Sequence, residues 1–88
     1  MVVSDDGGAV SLDALPRGAR AVVASVAFRG ADDPVARRLV ELGFVPGEQV
    51  QMIAHGPFGG DPLAVRLGGT RFALRRAEAA RVWLETVR

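Results

Sequence analysis

His55 is the only histidine of this 88-residue chain and the side chain best suited to bind a metal ion or transfer a proton. A transition-metal site takes several nitrogen, sulfur or oxygen ligands. The chain has no cysteine, and the nearest acid, Asp61, lies in a glycine-rich segment. One histidine with scattered carboxylates is a poor metal site. We therefore predict no metal and no cofactor, and we place His55 on the surface at the end of a strand.

Nucleophilic catalysis requires a hydroxyl or thiol beside an oriented base. None of the hydroxyl residues stands in such a motif: Ser4, Ser11, Ser25, Thr70 and Thr86. The adjacent carboxylates of Asp32 and Asp33 precede Pro34, where a helix N-cap is expected, so capping explains them better than acid–base chemistry does. The sequence therefore predicts no catalytic residues and no enzymatic activity.

Residues 56–61, with the sequence GPFGGD, form the most glycine-rich segment. The Lys-Ser/Thr pair of a phosphate-binding P-loop does not follow it, and no helix is expected to begin there. We predict a loop between two strands. Phe58 lies at its centre, and an aromatic side chain at a loop tip either folds back onto the domain or is offered to a partner. The sequence leaves both possibilities open.

Two adjacent arginines lie in a segment that we predict to be helical. At about 100° per residue, Arg37 points away from the apolar face and can pair with Glu41, whereas Arg38 flanks that face. Charged side chains next to exposed apolar ones suit a docking surface. We predict a patch in which arginines orient a partner and apolar residues supply contact area: Arg37, Arg38, Val40, Phe44 and Val45.

A second group of arginines could bind phosphate, which gives an alternative reading as a small nucleic-acid-binding barrel. Its members are Arg66, Arg71, Arg75 and Arg76. Such barrels usually interleave aromatic residues with basic ones, but this chain has no tyrosine and a single tryptophan. The net charge of +1 also gives no broad attraction to nucleic acid. We therefore expect no nucleic acid partner.

The spacing of apolar residues predicts one short helix among short strands. Residues 1–10 are predicted to be a flexible N-terminal tail, and residues 11–88 a single domain. Val35, Leu39 and Leu42 form one helical stripe. The predicted elements are a turn at 11–18, a helix at 33–42, a helical turn at 76–80, and strands at 20–28, 50–55, 63–67, 72–75 and 82–85.

Short strands joined by tight glycine turns favour a mainly β fold, which we predict to be a small SH3-like barrel with the helix inserted after the first strand. No apolar run is long enough to span a membrane, and the N-terminus has no basic region typical of a secretory signal. We therefore expect a cytoplasmic protein without membrane insertion. Apolar residues on the second faces of strands, Val23 and Ile53, would permit a homodimer.

The chain resembles the FeoA family of bacterial ferrous iron transport over about residues 11–85. Three segments carry the resemblance: LDALPRG at 12–18, RRLVELGFVPG at 37–47, and GDPLAVRLGGTRFALR at 60–75. The second and third together are specific for the family. The resemblance implies an SH3-like barrel that acts by contact rather than by catalysis.

The resemblance also implies a partner, the FeoB-type membrane permease, whose cytoplasmic GTPase domain the protein would bind at the inner face of the membrane. The same domain occurs at the C-terminus of iron-dependent repressors, so a regulatory domain of that kind is the alternative. Direct carriage of iron is a third hypothesis, which His55 and nearby carboxylates support only weakly.

Overall fold

The described part of the chain, residues 10–85 of a computed structural model, consists of six strands, two α-helices and one 3-10 turn. In chain order they are β1 Val10–Ser11, the 3-10 turn Leu12–Ala14, β2 Arg20–Val26, α1 Pro34–Leu42, β3 Gln49–Gly56, β4 Gly60–Leu67, β5 Thr70–Leu74, α2 Arg76–Ala79 and β6 Val82–Leu84. The predicted tail lies outside the described residues, except for Val10, which belongs to β1.

All six strands form one antiparallel sheet in the order β1-β6-β2-β3-β4-β5. Strand β2 changes partner along its length: Arg20 to Val22 pair with β3, and Val23 to Val26 pair with β6. Irregularities in the β2–β6 and β3–β4 pairings add bends, as β-bulges do. The predicted mainly β, SH3-like architecture is confirmed. Helix α1 follows β2, the first long strand.

The interior of the sheet holds one apolar core. Side chains alternate across a strand, and in β4 the predicted inward positions Leu63, Val65 and Leu67 are all buried. Val23 is also completely buried, so the prediction that it forms a second apolar face is wrong. The core consists of Leu12, Leu15, Ala21, Val23, Leu39, Phe44, Val50, Met52, Leu63, Val65, Leu67, Leu74, Ala79, Val82 and Leu84.

Helix α1 begins and ends where local chemistry predicts. The Asp33 carboxylate accepts a hydrogen bond from the Ala36 N–H at 3.1 Å, and Gly43 ends the helix in the left-handed conformation at φ 115°. Leu39 is only 1% exposed, while Val35 and Leu42 pack half-buried at the margin of the core. The helix thus covers the barrel through Leu39, whose burial contributes about 1.5–3 kcal/mol.

The segment predicted to be a loop between two strands, residues 56–61, is reduced to a tight turn over residues 57–59. Strand β3 continues through Gly56, and β4 begins at Gly60. A Cβ atom on Gly56 would overlap the carbonyl oxygens of Asp61 and Pro62, so only glycine allows the two strands to approach this closely.

Within residues 10–85, no helix is long and apolar enough to cross a membrane.

Candidate docking surface

Phe58 is the most exposed large apolar side chain in the described structure, with 80% of its surface accessible. It lies at the tip of the turn between β3 and β4. Its backbone exchanges two hydrogen bonds with Asp61, at 3.3 Å from the Phe58 N–H and at 3.2 Å from the Asp61 N–H. The aromatic ring is therefore presented to solvent by a hydrogen-bonded turn rather than folded back onto the domain.

Arg76, the first residue of α2, stabilises the turn through two hydrogen bonds. Its backbone N–H donates to Asp61 Oδ1 at 2.8 Å, and its guanidinium Nη1 donates to the carbonyl oxygen of Gly59 at 2.9 Å. Gly59 and Gly60 both have positive φ, at 65° and 89°, which allows the chain to reverse so sharply. The position of Phe58 is thus fixed by the contacts of its neighbours.

A surface groove of about 490 Å³ runs beside Phe58, between the tip of the turn, strands β4 and β5 and the two helices. We call it the docking groove, and its lining residues are Arg38, Phe58, Asp61, Pro62, Ala73, Leu74, Arg75 and Glu78. Four of these residues are apolar and four are charged. This mixture is the composition of protein contact sites, in which an aromatic anchor lies among polar groups that set orientation.

An ion pair joins the two helices at the groove. Arg38 Nη1 on α1 donates to Glu78 Oε2 on α2 at 3.3 Å, and the side chains are 61% and 20% exposed. Glu78 also accepts the backbone N–H of Arg75 at 2.9 Å through its other oxygen. Glu78 is therefore fixed twice, whereas the guanidinium of Arg38 remains largely accessible to a partner.

The predicted patch at the end of α1 is only partly assembled. Arg37 and Val40 are exposed and Val45 is half-buried, but Phe44 is completely buried and its ring lies 6.0 Å from that of Phe72. Phe44 therefore cannot serve as a docking residue, and that part of the prediction is wrong. Gly43 turns the chain at the helix end, and the next side chain, that of Phe44, enters the core.

The ion-pair partner of Arg37 is also different from the predicted one. Its Nη2 atom donates to Asp32 Oδ1 at 2.6 Å instead of contacting Glu41, and both partners are mostly exposed. Asp32 precedes the helix, so this ion pair forms across the N-terminal turn of α1. A solvent-exposed pair of this kind contributes little to stability, at most about 1 kcal/mol.

Asp33 is the buried acid of the described structure, 7% exposed, and its carboxylate is fully occupied. Its Oδ2 atom accepts a hydrogen bond from Arg81 Nη1 at 2.6 Å and another from the Arg29 N–H at 2.9 Å. The Arg81 guanidinium, followed by the N–H groups of Arg29 and Ala36, holds the pKa of Asp33 far below its ordinary value. This carboxylate is structural, because both of its oxygens accept hydrogen bonds from the protein itself.

The described residues contain no group of three or more histidine, cysteine, aspartate or glutamate side chains that could hold a metal ion. His55 is exposed on β3, as the sequence predicts. Phe58, Arg38 and Glu78 form an arrangement suited to binding a polypeptide surface rather than to acid–base or nucleophilic chemistry.

The sequence profile of the FeoA domain matches residues 10–86. The chain belongs to the FeoA family. Among solved structures, it is 55% identical to FeoA of Stenotrophomonas maltophilia crystallised with zinc, over 86% of this chain and 89% of that one, with a TM-score of 0.79. That relative is described as an SH3 domain protein and suggested as an activating factor of bacterial ferrous iron transport.

Other members of the FeoA family share the fold at lower identity. FeoA of Chlorobium tepidum is 35% identical over 90% of this chain and 71% of its own, with a TM-score of 0.75. A manganese-dependent transcriptional repressor has the same fold at 22% identity over 90% of this chain and 42% of its own, with a TM-score of 0.75. A search of curated proteins finds no match.

Sequence reasoning found Arg38 but not the groove to which it belongs. Glu78, Pro62 and Ala73 carry no signal of their own, because they meet Arg38 only through tertiary packing. The available signal was Phe58, an aromatic residue between Pro57 and Gly59 in a segment rich in turn-forming residues.

Proposed function

We propose that this FeoA family protein is a non-enzymatic accessory of ferrous iron uptake that binds the cytosolic part of a FeoB-type permease. Two findings support a role in this transport: membership of the family and the close similarity to a relative suggested as a transport activating factor. On this proposal the protein works in the cytoplasm and reaches the inner face of the membrane through its partner.

The observation that carries the proposal is the exposure of Phe58 on a fixed turn beside the docking groove. An exposed aromatic ring on a rigid support binds with little loss of conformational entropy. Aromatic residues and arginines are also the residues that most often dominate the binding energy of protein interfaces. Phe58 and Arg38 supply one of each at the same groove.

In the proposed contact, the apolar and the basic residues of the groove have different roles. Phe58, Pro62 and Ala73 provide apolar area, while Arg38 and Arg75 can donate to carboxylates or carbonyl oxygens of the partner. Arg37 and Val40 are also exposed on α1, but at about 100° per residue they point roughly 100° and 160° away from Arg38, so they lie outside the groove. Val45, which is half-buried, contributes only its accessible part.

Co-purification with the isolated cytosolic GTPase domain of the permease tests this proposal. We expect Arg38→Glu to reduce the amount of GTPase domain retained, because it places a negative charge beside Glu78 and removes the donor. The matched control is Arg29→Glu, which makes the same change in charge at an exposed arginine that does not line the groove.

Equal retention by wild type and Arg38→Glu would remove the groove from the contact. Equal loss in both variants would indicate that net charge, rather than the groove, governs binding. Circular dichroism of each variant establishes that it is folded before binding is compared.

A further inference from the structure

A row of four polar side chains crosses the solvent face of the sheet, and none of the four lines the docking groove. Arg20 on β2 pairs in register with Gln51 on β3, Gln51 pairs with Arg66 on β4, and Arg66 pairs with Arg71 on β5. We call these residues the basic row. Adjacent strands lie about 4.8 Å apart, so the row is roughly 14 Å long.

The three arginines of the basic row have no acidic partner among residues 10–85. Each salt bridge found there involves another arginine: Arg37 with Asp32, Arg38 with Glu78, and Arg81 with Asp33. The basic-row arginines are all exposed, and Gln51 is half-buried between two of them. Their side chains are therefore available to an anion from outside the described structure.

The neighbouring positions of the same face carry no negative charge. Two residues along each strand from the basic row lie Val22, Gln49, Ala64 and Ala73. Arg66 and Arg71 are directly opposite each other, and like charges in that arrangement destabilise a sheet. An arginine opposite another arginine, with no acid at these neighbouring positions, leaves a concentrated positive charge that an anion would neutralise.

A small recess marks the centre of the row. It has a volume of about 160 Å³ and is lined by Arg20, Gln49, Val50, Gln51, Arg66 and Gly68. The amide nitrogen of Gln51 donates to the carbonyl oxygen of Gly18 at 3.2 Å, which holds this side chain in place between the two arginines. The recess is large enough to receive a carboxylate group, and arginine binds carboxylates through two parallel hydrogen bonds.

We propose that the basic row binds an acidic, extended polypeptide segment of a partner protein. Alternate side chains of an extended chain face the same way, and four residue steps span about 13 Å, close to the length of the row. Glutamate or aspartate side chains at alternate positions lie about 6.6 Å apart, and the long, flexible side chains of Arg20, Arg66 and Arg71 can reach them.

The surroundings of the row favour a polypeptide over a nucleic acid or a membrane. Nucleic acid single strands are held by stacking on aromatic side chains, and the row is bordered by Val22, Gln49, Ala64 and Ala73. Anionic membranes recruit clusters of about four to eight basic residues, whereas the row supplies three. The alternative arginine group predicted from the sequence is also split, because Arg76 is committed to the Gly59 carbonyl.

Fluorescence anisotropy with a labelled peptide of alternating glutamate and serine tests the proposal on the full-length chain. We expect binding at low salt that Arg66→Gln weakens about tenfold, the loss of one charge-assisted contact. The control Arg29→Gln removes the same charge away from the row and should change affinity less than about twofold. A peptide with glutamine in place of glutamate should not bind.

Arg66→Gln should also leave the melting temperature unchanged or higher, because it removes a like-charge neighbour of Arg71. Equal weakening by Arg66→Gln and Arg29→Gln would overturn the proposal. So would tighter binding of oligo-dT or of phosphatidylserine vesicles than of the peptide. This test uses neither Phe58 nor the permease, so the basic row and the docking groove can fail independently.

Discussion

Asp33 and Arg81 form a nearly buried ion pair that joins the start of α1 to the turn immediately before β6. The oxygen-to-nitrogen distance is 2.6 Å, and the two side chains are 7% and 11% exposed. The same carboxylate caps the helix through the Ala36 N–H. One acid therefore sets both where the helix begins and how it lies against the chain before β6, and loss of its charge would disturb both contacts.

The depressed pKa of Asp33 predicts a specific loss of stability in acid. The folded pKa lies below the unfolded value of about 3.9, so the unfolded chain binds more protons between the two values. The stability that this group contributes is present above about pH 4 and is lost as the pH falls further. The melting temperature should accordingly drop more steeply below about pH 4 for wild type than for Asp33→Asn.

The comparison of the two proteins isolates Asp33 from the other carboxylates, which titrate in both. Wild type should melt at the higher temperature near neutral pH, and the difference should shrink as the pH falls below about 4. A difference that stays constant down to pH 2 would show that the charge of Asp33 does not stabilise the fold.

Leu39 is the main contact between α1 and the core, so its truncation should be costly. Leu39→Ala leaves a cavity beneath the helix and is expected to lower the free energy of unfolding by about 2–5 kcal/mol. Leu42→Ala makes the same chemical change at a half-buried site and should cost less. Urea unfolding of both variants measures the difference. Equal losses of unfolding free energy would contradict the claim that Leu39 is the main contact between α1 and the core.

The close approach of β3 and β4 predicts that Gly56 tolerates no side chain. Gly56→Ala forces the added methyl group against the backbone of Asp61 and Pro62, so the turn that carries Phe58 must shift. We expect a loss of about 1–3 kcal/mol, the usual range for overpacking. Gly69→Ala is the matched control because its methyl group would meet open space. Similar melting temperatures for the two variants would contradict the claim that the close approach of β3 and β4 requires glycine at position 56.

The fold was largely predictable because its signals are local. Asp33 before Pro34 and Gly43 after the apolar stripe mark both ends of α1, and alternation in residues 63–67 identifies an inward and an outward face. Strand β1 was missed because two residues are too few to show a period. The connection between β3 and β4 was predicted to be longer than the observed turn at 57–59. Glycine and proline suggest a loop even where the strands continue.

The functional surfaces were less predictable because they join residues distant in sequence. Phe44 looked exposed at the helix end, but the direction of its side chain depends on how Gly43 turns the chain toward Phe72. Nothing in the sequence indicated that Arg20 belongs with Arg66, because the strand register alone aligns the two residues across the sheet. Periodicity identifies the face of a strand, whereas its neighbours across the sheet follow from tertiary structure.

The affinity of the cytosolic GTPase domain of a FeoB-type permease for wild type and for Phe58→Ala tests the proposed docking most directly. Removing the ring deletes the most exposed apolar side chain of the groove while leaving the core intact. Phe28→Ala, at another exposed phenylalanine that does not line the groove, is the control. Isothermal titration calorimetry should show binding that is at least about tenfold weaker for Phe58→Ala and nearly unchanged for Phe28→Ala. Equal affinities of wild type and Phe58→Ala would contradict the proposed docking.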